Sequence, residues 1–359
     1  MTASVAAEAL APSELLRDEL DERGWTVAEF AQILGRPTQV VSEILNDRKE
    51  ITPETALAIG EALGTSAELW LNLQSSYRLW SIRQRGAELT PVARRARLRS
   101  LVPVTELRRR GWLPDTDDLD DLEAATCRLL SIKNLDETPS FAAVARRRGQ
   151  ASDFTPAQTA WLARVREVAT KRQLPPFDRE GTAKLGESLA HRLRDPQDLG
   201  QLRDWLDACG IALVTELPLR GSGIDGAALL MTDRSAAIGL STRGDRFDSV
   251  VFTLLHEMAH LVLGHLDQGG PCVDEELFEA GRRAATEKEA NALAASWVFP
   301  DDIRSLVPPI SLRAIVASAD EYQVHPSLVI GRLQWTRRLD WKAFRSTIPR
   351  ARPFMPASS

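Results

Sequence analysis

Cysteine is scarce in this chain: Cys127, Cys209 and Cys272 are widely separated, odd in number and without a CxxC spacing. That excludes a disulfide-stapled scaffold and a thiolate metal knuckle, and it favours a reducing compartment. Long apolar runs are missing as well. No window approaches the roughly 18 apolar residues of a membrane span, and the opening MTASVAAEALAPSELLRDEL has no basic stretch leading into an apolar one. Secretion and membrane insertion are therefore not expected, and a cytoplasmic location is. Positive charge is not in excess either, with 45 Lys and Arg against 50 Asp and Glu. Any affinity for nucleic acid must come from a local surface. No internal repeat interrupts the 359 residues.

With 43% apolar and 26% charged residues, the composition is that of a globular protein, and the length suggests two domains with a connector. Residues 12–80 read as short helices separated by tight turns, with Gly24, Gly35 and Gly64 where C-caps would fall. Residues 81–173 stay mostly helical and carry arginine runs at 94–97, 108–110 and 146–148. They read as a helical connector, with loops expected at 114–121 and 149–156 from their Pro, Gly and Asp content. Residues 174–345 are mixed. A helix over 199–209 leads into short strands near 211–215, 226–231 and 235–241, and a long helix is expected from Phe247 to His265. The fold class is mainly α with an α+β C-terminal domain: an all-α first domain, a helical connector, and a last domain with a small β-sheet.

Thr26 stands where it can cap a helix, Ala31 is small enough for a second helix to cross closely, and Gly35 permits a sharp turn. Val40, Val41, Ile44 and Leu45 then supply the buried side of that second helix. Thr38, Gln39, Ser42 and Glu43 are left near its exposed N-terminal half, where side chains could meet base edges. Arg48 and Lys49 follow in the turn, suitably placed for phosphate. In these residues, and in Ile51-Thr-Pro-Glu-Thr-Ala-Leu-Ala-Ile-Gly through Glu68-Leu-Trp-Leu-Asn-Leu-Gln74, the segment from about Pro12 to Leu79 resembles the Cro/C1-type (XRE) helix-turn-helix family, and its HigA-type antitoxin branch in particular. The resemblance implies binding of a double-stranded DNA operator as a homodimer. Acidic residues outnumber basic ones here by about two to one, against the usual charge of a DNA-binding surface. That imbalance leaves open a helical bundle kept for dimerisation or protein contact.

The segment Thr253-Leu-Leu-His-Glu-Met-Ala-His260 carries a different chemistry. His256 and His260, four apart on a helix, project to one side and can share one metal ion, while Glu257 can reach the water of a zinc site without ligating. Catalytic zinc has three protein ligands as a rule. His265 lies roughly 140° further round the helix and is expected to face away. The third ligand is therefore sought in Thr286-Glu-Lys-Glu-Ala-Asn291: Glu287 as ligand, Asn291 holding a ligand histidine by hydrogen bond, and Glu289 as the reserve ligand. His325 is assigned as catalytic, a donor to a developing oxyanion, with Tyr322 nearby as another candidate and a helix-capping role as the alternative. Arg243 and Arg246 are expected to pair with Asp245 and Asp248, and His191 to be exposed. Ser235 to Ser241 could form an exposed edge for an extended substrate.

The HExxH helix, the downstream Glu287-Lys-Glu-Ala-Asn helix ending in Phe299-Pro300, and Val324-His-Pro-Ser-Leu-Val-Ile-Gly331 together resemble the ImmA/IrrE family of metallopeptidases. Trp297-Val-Phe-Pro stands where Leu-Leu-Met/Ile-Pro is commoner. The resemblance implies a zincin-like domain, Zn²⁺ as cofactor and a regulatory protein, such as a repressor, as substrate, with Glu257 assisting attack by water on an amide. The expectation is a DNA-binding regulator fused to a zinc endopeptidase. The alternative is a HigA-like antitoxin or repressor whose zinc domain senses or binds a partner without turnover.

Overall fold

The computed structural model describes residues 10–84, 90–139, 154–267, 272–275, 282–301, 303, 306 and 309–356. The arginine run at 146–148 and most of the loop expected at 149–156 lie outside them. The chain divides into two compact units, Met1–Ala93 and Arg94–Ser359.

In the first unit the helices are α1 (Pro12–Arg23), α2 (Val27–Ile33), α3 (Thr38–Leu45), α4 (Pro53–Leu63) and α5 (Ala67–Gln84). Their ends follow from local chemistry. Thr26 and Glu29 form a capping box at the start of α2, which satisfies two of the otherwise orphaned N–H groups of the first turn. Gly24 and Gly64 close α1 and α4 in the left-handed conformation, where a Cβ would be strained. Leu16, Leu20, Phe30, Val41, Ile44, Ile59 and Trp70 form the core. Trp70, fully buried, donates its indole N–H to Thr65 Oγ1 at 2.8 Å. One polar bond thus anchors a fully buried indole of the unit.

The second unit contains α6 (Pro91–Leu101), α7 (Val104–Arg109), α8 (Leu119–Leu130), α9 (Pro156–Thr170), α10 (Arg179–Arg192), α11 (Leu202–Ala208), α12 (Phe247–Val262), α13 (Arg282–Val298), α14 (Leu312–Glu321) and α15 (Pro326–Trp335). Its strands are β1 (Ile211–Thr215), β2 (Ile224–Leu230), β3 (Ala236–Leu240) and β4 (Cys272–Glu275), in the order β1-β3-β2-β4. β1 runs parallel to β3, while β2 is antiparallel to both β3 and β4.

Over β1, β2 and β3 the sheet is covered on both faces, so these strands are mostly apolar, Asp225 being an exception, rather than alternating with polar residues. Ile211, Leu213, Ala228, Ile238 and Leu240 face the core built by α10, α12, α13 and α15. Ala212, Val214, Ala227, Leu229 and Ala237 face a second core containing Leu98, Leu107, Leu129, Trp161 and Val165. Residues 94–139 and 154–170, part of the 81–173 stretch that reads as a connector, thus supply one of three layers. Arginine density hid this, because several of those arginines end in local ion pairs: Arg94 with Glu123, Arg108 with Asp115, Arg110 with Glu106. The layer comes closest at Gly239, where a Cβ would stand 2.7 Å from the Trp161 ring.

β3 is not the exposed edge expected of Ser235 to Ser241. It is central and buried at all five residues, because β1, just as apolar, pairs with it on the side away from β2.

Candidate functional site

In the N-terminal unit, α2 and α3 form the helix-turn-helix. Val41, Ile44 and Leu45 are buried, which turns the opposite side of α3 outward. Thr38 and Gln39 are exposed there, Ser42 and Glu43 half-buried, and Arg48 and Lys49 exposed in the turn beyond. Gln39 Nε2 donates to Glu43 Oε1 at 3.0 Å, and Lys49 Nζ lies 3.9 Å from the other oxygen of the same carboxylate. An acidic group on the candidate reading face is therefore held between an amide and a cation, which moderates its repulsion of phosphate.

In the second unit, α12 places His256 and His260 one turn apart on a helix buried along most of its length. Asp248, 2% exposed, lies in its first turn and takes two hydrogen bonds from Arg246, at 3.0 and 2.6 Å. This is the pairing expected for Arg246. Arg243 instead binds Asp225 through two bonds of 2.9 Å, because the chain between β3 and α12 brings it beside β2.

α13 packs against α12. Its Ala290 and Ala294 are buried in the core, and Glu287, one turn earlier, reaches the histidines. His256 Nε2 lies 3.0 Å and His260 Nε2 3.4 Å from Glu287 Oε2, and the two Nε2 atoms are 2.9 Å apart. Among the described residues these three side chains form the cluster able to hold a metal ion. Tetrahedral zinc with bonds of about 2.0–2.1 Å separates neighbouring ligand atoms by roughly 3.3 Å, so the donor set and its spacing fit such an ion. Burial drives His260 below its ordinary pKa, with Glu287 opposing and the other two imidazoles adding. The ring is thereby kept neutral, with a lone pair to offer. Burial acts against ionisation of Glu287, but its contacts with His256 and His260 outweigh it and hold the carboxyl well below the usual range. Two imidazoles and one carboxylate are a donor set suited to a divalent cation.

Glu257 is fully buried. Its carboxylate lies over Gly226 of β2, where a Cβ would come within 2.8 Å of Oε1.

Three expectations need correction. Asn291 is exposed. Ala290 and Ala294 take the inward side of α13 and leave Asn291 on its outer side. His325 caps α15: its Nδ1 accepts from the Ser327 backbone N–H at 3.1 Å, and the ring packs on Phe247 at 5.0 Å. Phe247 precedes His256 by nine residues, about 13 Å along the helix, so His325 stands at the far end of α12. Extended backbone followed by Pro326 at the first helical position favours the cap.

His265 was expected to face away, yet its Nδ1 lies 2.9 Å from His260 Nδ1, and its Nε2 lies 3.2 Å from Glu289 Oε2. Glu289, the reserve ligand, thus meets His265 and not the ion site. The helical extrapolation fails because α12 ends at Val262. Gly264 adopts a positive φ of 73°, and the N–H groups of Gly264 and His265 return to the carbonyls of Leu261 and His260. That is a Schellman motif, which folds the residue after the glycine back against the helix. The signal was present in the sequence as a glycine just before His265. His191 is exposed, as expected.

Residues 16–70 match the helix-turn-helix family; both bounds, Leu16 and Trp70, are core residues of the first unit. The uncharacterized HTH-type transcriptional regulator YddM of Escherichia coli K12 is 32% identical over 91 residues, which cover 25% of this chain and 89% of that regulator. Antitoxin HigA-1 of Vibrio cholerae is 34% identical over 76 residues, 21% of this chain and 71% of the antitoxin. Among solved structures, antitoxin HigA of Pseudomonas aeruginosa with the higBA promoter is 32% identical. It aligns over 23% of this chain and 97% of that one, with a TM-score of 0.21.

Proposed function

The chain belongs to the helix-turn-helix family through residues 16–70, and from that premise we propose that it is a DNA-bound regulator whose second unit is a zinc-dependent peptidase. The N-terminal unit binds an operator as a dimer, with α3 of each copy in successive major grooves. Gln39, Ser42 and Thr38 meet base edges, and Arg48 and Lys49 contact phosphates. The second unit cuts a protein substrate, a regulatory protein such as a repressor.

A single observation carries the peptidase reading: His256 and His260 from one helix and Glu287 from another converge on one point, with the buried carboxylate of Glu257 beside the first ligand. Zinc held there would supply Lewis acidity toward water and an amide carbonyl. Glu257 takes the proton from the attacking water on a carboxylate oxygen and returns it to the leaving amine nitrogen. Burial of His256, Glu257 and His260 excludes bulk water and strengthens each of these interactions.

A second reading has its own support. His325, the expected oxyanion donor, is committed to capping α15, which favours a metal-binding sensor or partner-binding unit without turnover. Glu257→Gln separates the two. The variant should keep zinc while a substrate that accumulates new N-termini in wild-type cells stays intact. Identical cleavage patterns in wild type and variant would sink the peptidase.

A further inference from the structure

Resting on the metal-site reading above, we infer that His265 is the positioning residue of the site: it fixes which nitrogen of His260 carries the proton, and Glu289 in turn fixes His265. The argument follows the hydrogen-bond chain from its outer end. A carboxylate oxygen only accepts, so Glu289 Oε2, 3.2 Å from His265 Nε2, calls for the proton on that nitrogen. A neutral imidazole has one N–H, which leaves His265 Nδ1 with a lone pair. His265 Nδ1 is 2.9 Å from His260 Nδ1, so His260 must donate from Nδ1. Its own lone pair is then at Nε2, the atom that faces His256 and Glu287. From Glu289 to His260 one arrangement of protons satisfies the chain, and it is the one that leaves His260 ready to ligate.

The backbone builds this contact in. The Schellman turn at Gly264 brings His265 back over the last turn of α12, with its N–H on the His260 carbonyl at 3.1 Å. His265 therefore touches His260 through both main chain and side chain. Its side chain is 10% exposed while that of Glu289 is 64% exposed, so the inner link is sheltered and the outer one is in water. The inner link should carry most of the effect, since exposed ion pairs contribute little.

The test measures zinc affinity of the full-length chain by competition with a chromophoric chelator. His265→Ala should weaken binding by about 10–100-fold, the range typical for loss of a partner behind a metal-ligating histidine. His265→Asn places an amide oxygen near the position of Nδ1 and should restore most of that affinity. His265→Gln, whose polar atoms sit where Nε2 was, should not. Glu289→Ala should weaken binding only a few-fold and, being on the surface, will not disturb folding. In the zinc-loaded protein, ring ¹⁵N shifts should show His260 protonated at Nδ1, with that proton exchanging faster in His265→Ala. If wild type binds zinc and His265→Ala binds it equally, the inference falls and the metal site stands. If wild type takes up no zinc, the metal site itself falls, and the inference with it.

Discussion

Gly226 on β2 and Glu257 on α12 meet so closely that a β-carbon on the glycine would lie 2.8 Å from Glu257 Oε1 and 2.6 Å from Thr253 Cγ2. A strand without a side chain at that position is what lets a carboxylate fit between helix and sheet. Gly226→Ala should therefore displace Glu257, with a loss of stability of about 1–3 kcal/mol from overpacking. Zinc stoichiometry should survive while proteolysis drops. A variant with wild-type stability and cleavage would show that the carboxylate position does not depend on this contact.

Chelation should destabilise the second unit, which holds the His256, His260 and Glu287 cluster, and leave the transition of the first unchanged. With free zinc at 100 times its Kd, binding adds about 2.7 kcal/mol to the stability of the unit that holds it. Calorimetry with and without chelator should show that increment in wild type and none in His260→Ala. A zinc-dependent transition persisting in His260→Ala would place the ion elsewhere.

On DNA, the exposed residues of α3 and those of the turn should behave differently. Arg48→Ala and Lys49→Ala should each weaken binding to all sequences alike and lower the salt slope by about 1. Gln39→Ala should relax specificity at one base position and also release Glu43, which Gln39 holds at 3.0 Å. Titrations over a salt series with operator and scrambled duplexes distinguish these outcomes. A Gln39→Ala loss that is equal on both duplexes would remove it from the reading surface.

Acid should weaken the second unit partly through His325. Burial lowers its pKa, with Asp195 and Asp248 pulling the other way, so the folded state prefers the neutral ring and the unfolded state binds more protons. Stability from this group rises with pH, is complete above the ordinary histidine value, and is lost as pH falls through the depressed one. His325→Asn retains a good N-cap and should flatten that part of the profile. Urea denaturation at stepped pH gives the slope directly, and parallel slopes in both proteins would exclude His325 as a contributor.

Much of the site was legible because it depends on short-range helical geometry. The four-residue spacing of His256 and His260 guarantees a shared side, and Glu287 was readable as a candidate third ligand on a downstream helix, with Glu289 in reserve. Asn291 was misplaced although it stands four residues from Glu287. Such a spacing still rotates a side chain by about 40°, and Ala290 and Ala294 had already taken the inward position. His265 was misjudged for a related reason, since its place depends on where the helix stops and not on where an ideal one would carry it.

The sequence alone determined what local chemistry can settle. Thr26 with Glu29, Gly24 and Gly64 mark helix ends, the apolar spacing of α3 selects its outward face, and HExxH pairs two imidazoles. The tertiary structure decided what depends on contacts between distant segments. Residues 94–139 and 154–170 became a layer on the sheet, β3 became its centre, and Glu289 met His265. No periodicity within one segment records which other segment will cover it, because that choice minimises exposed apolar area over the whole unit.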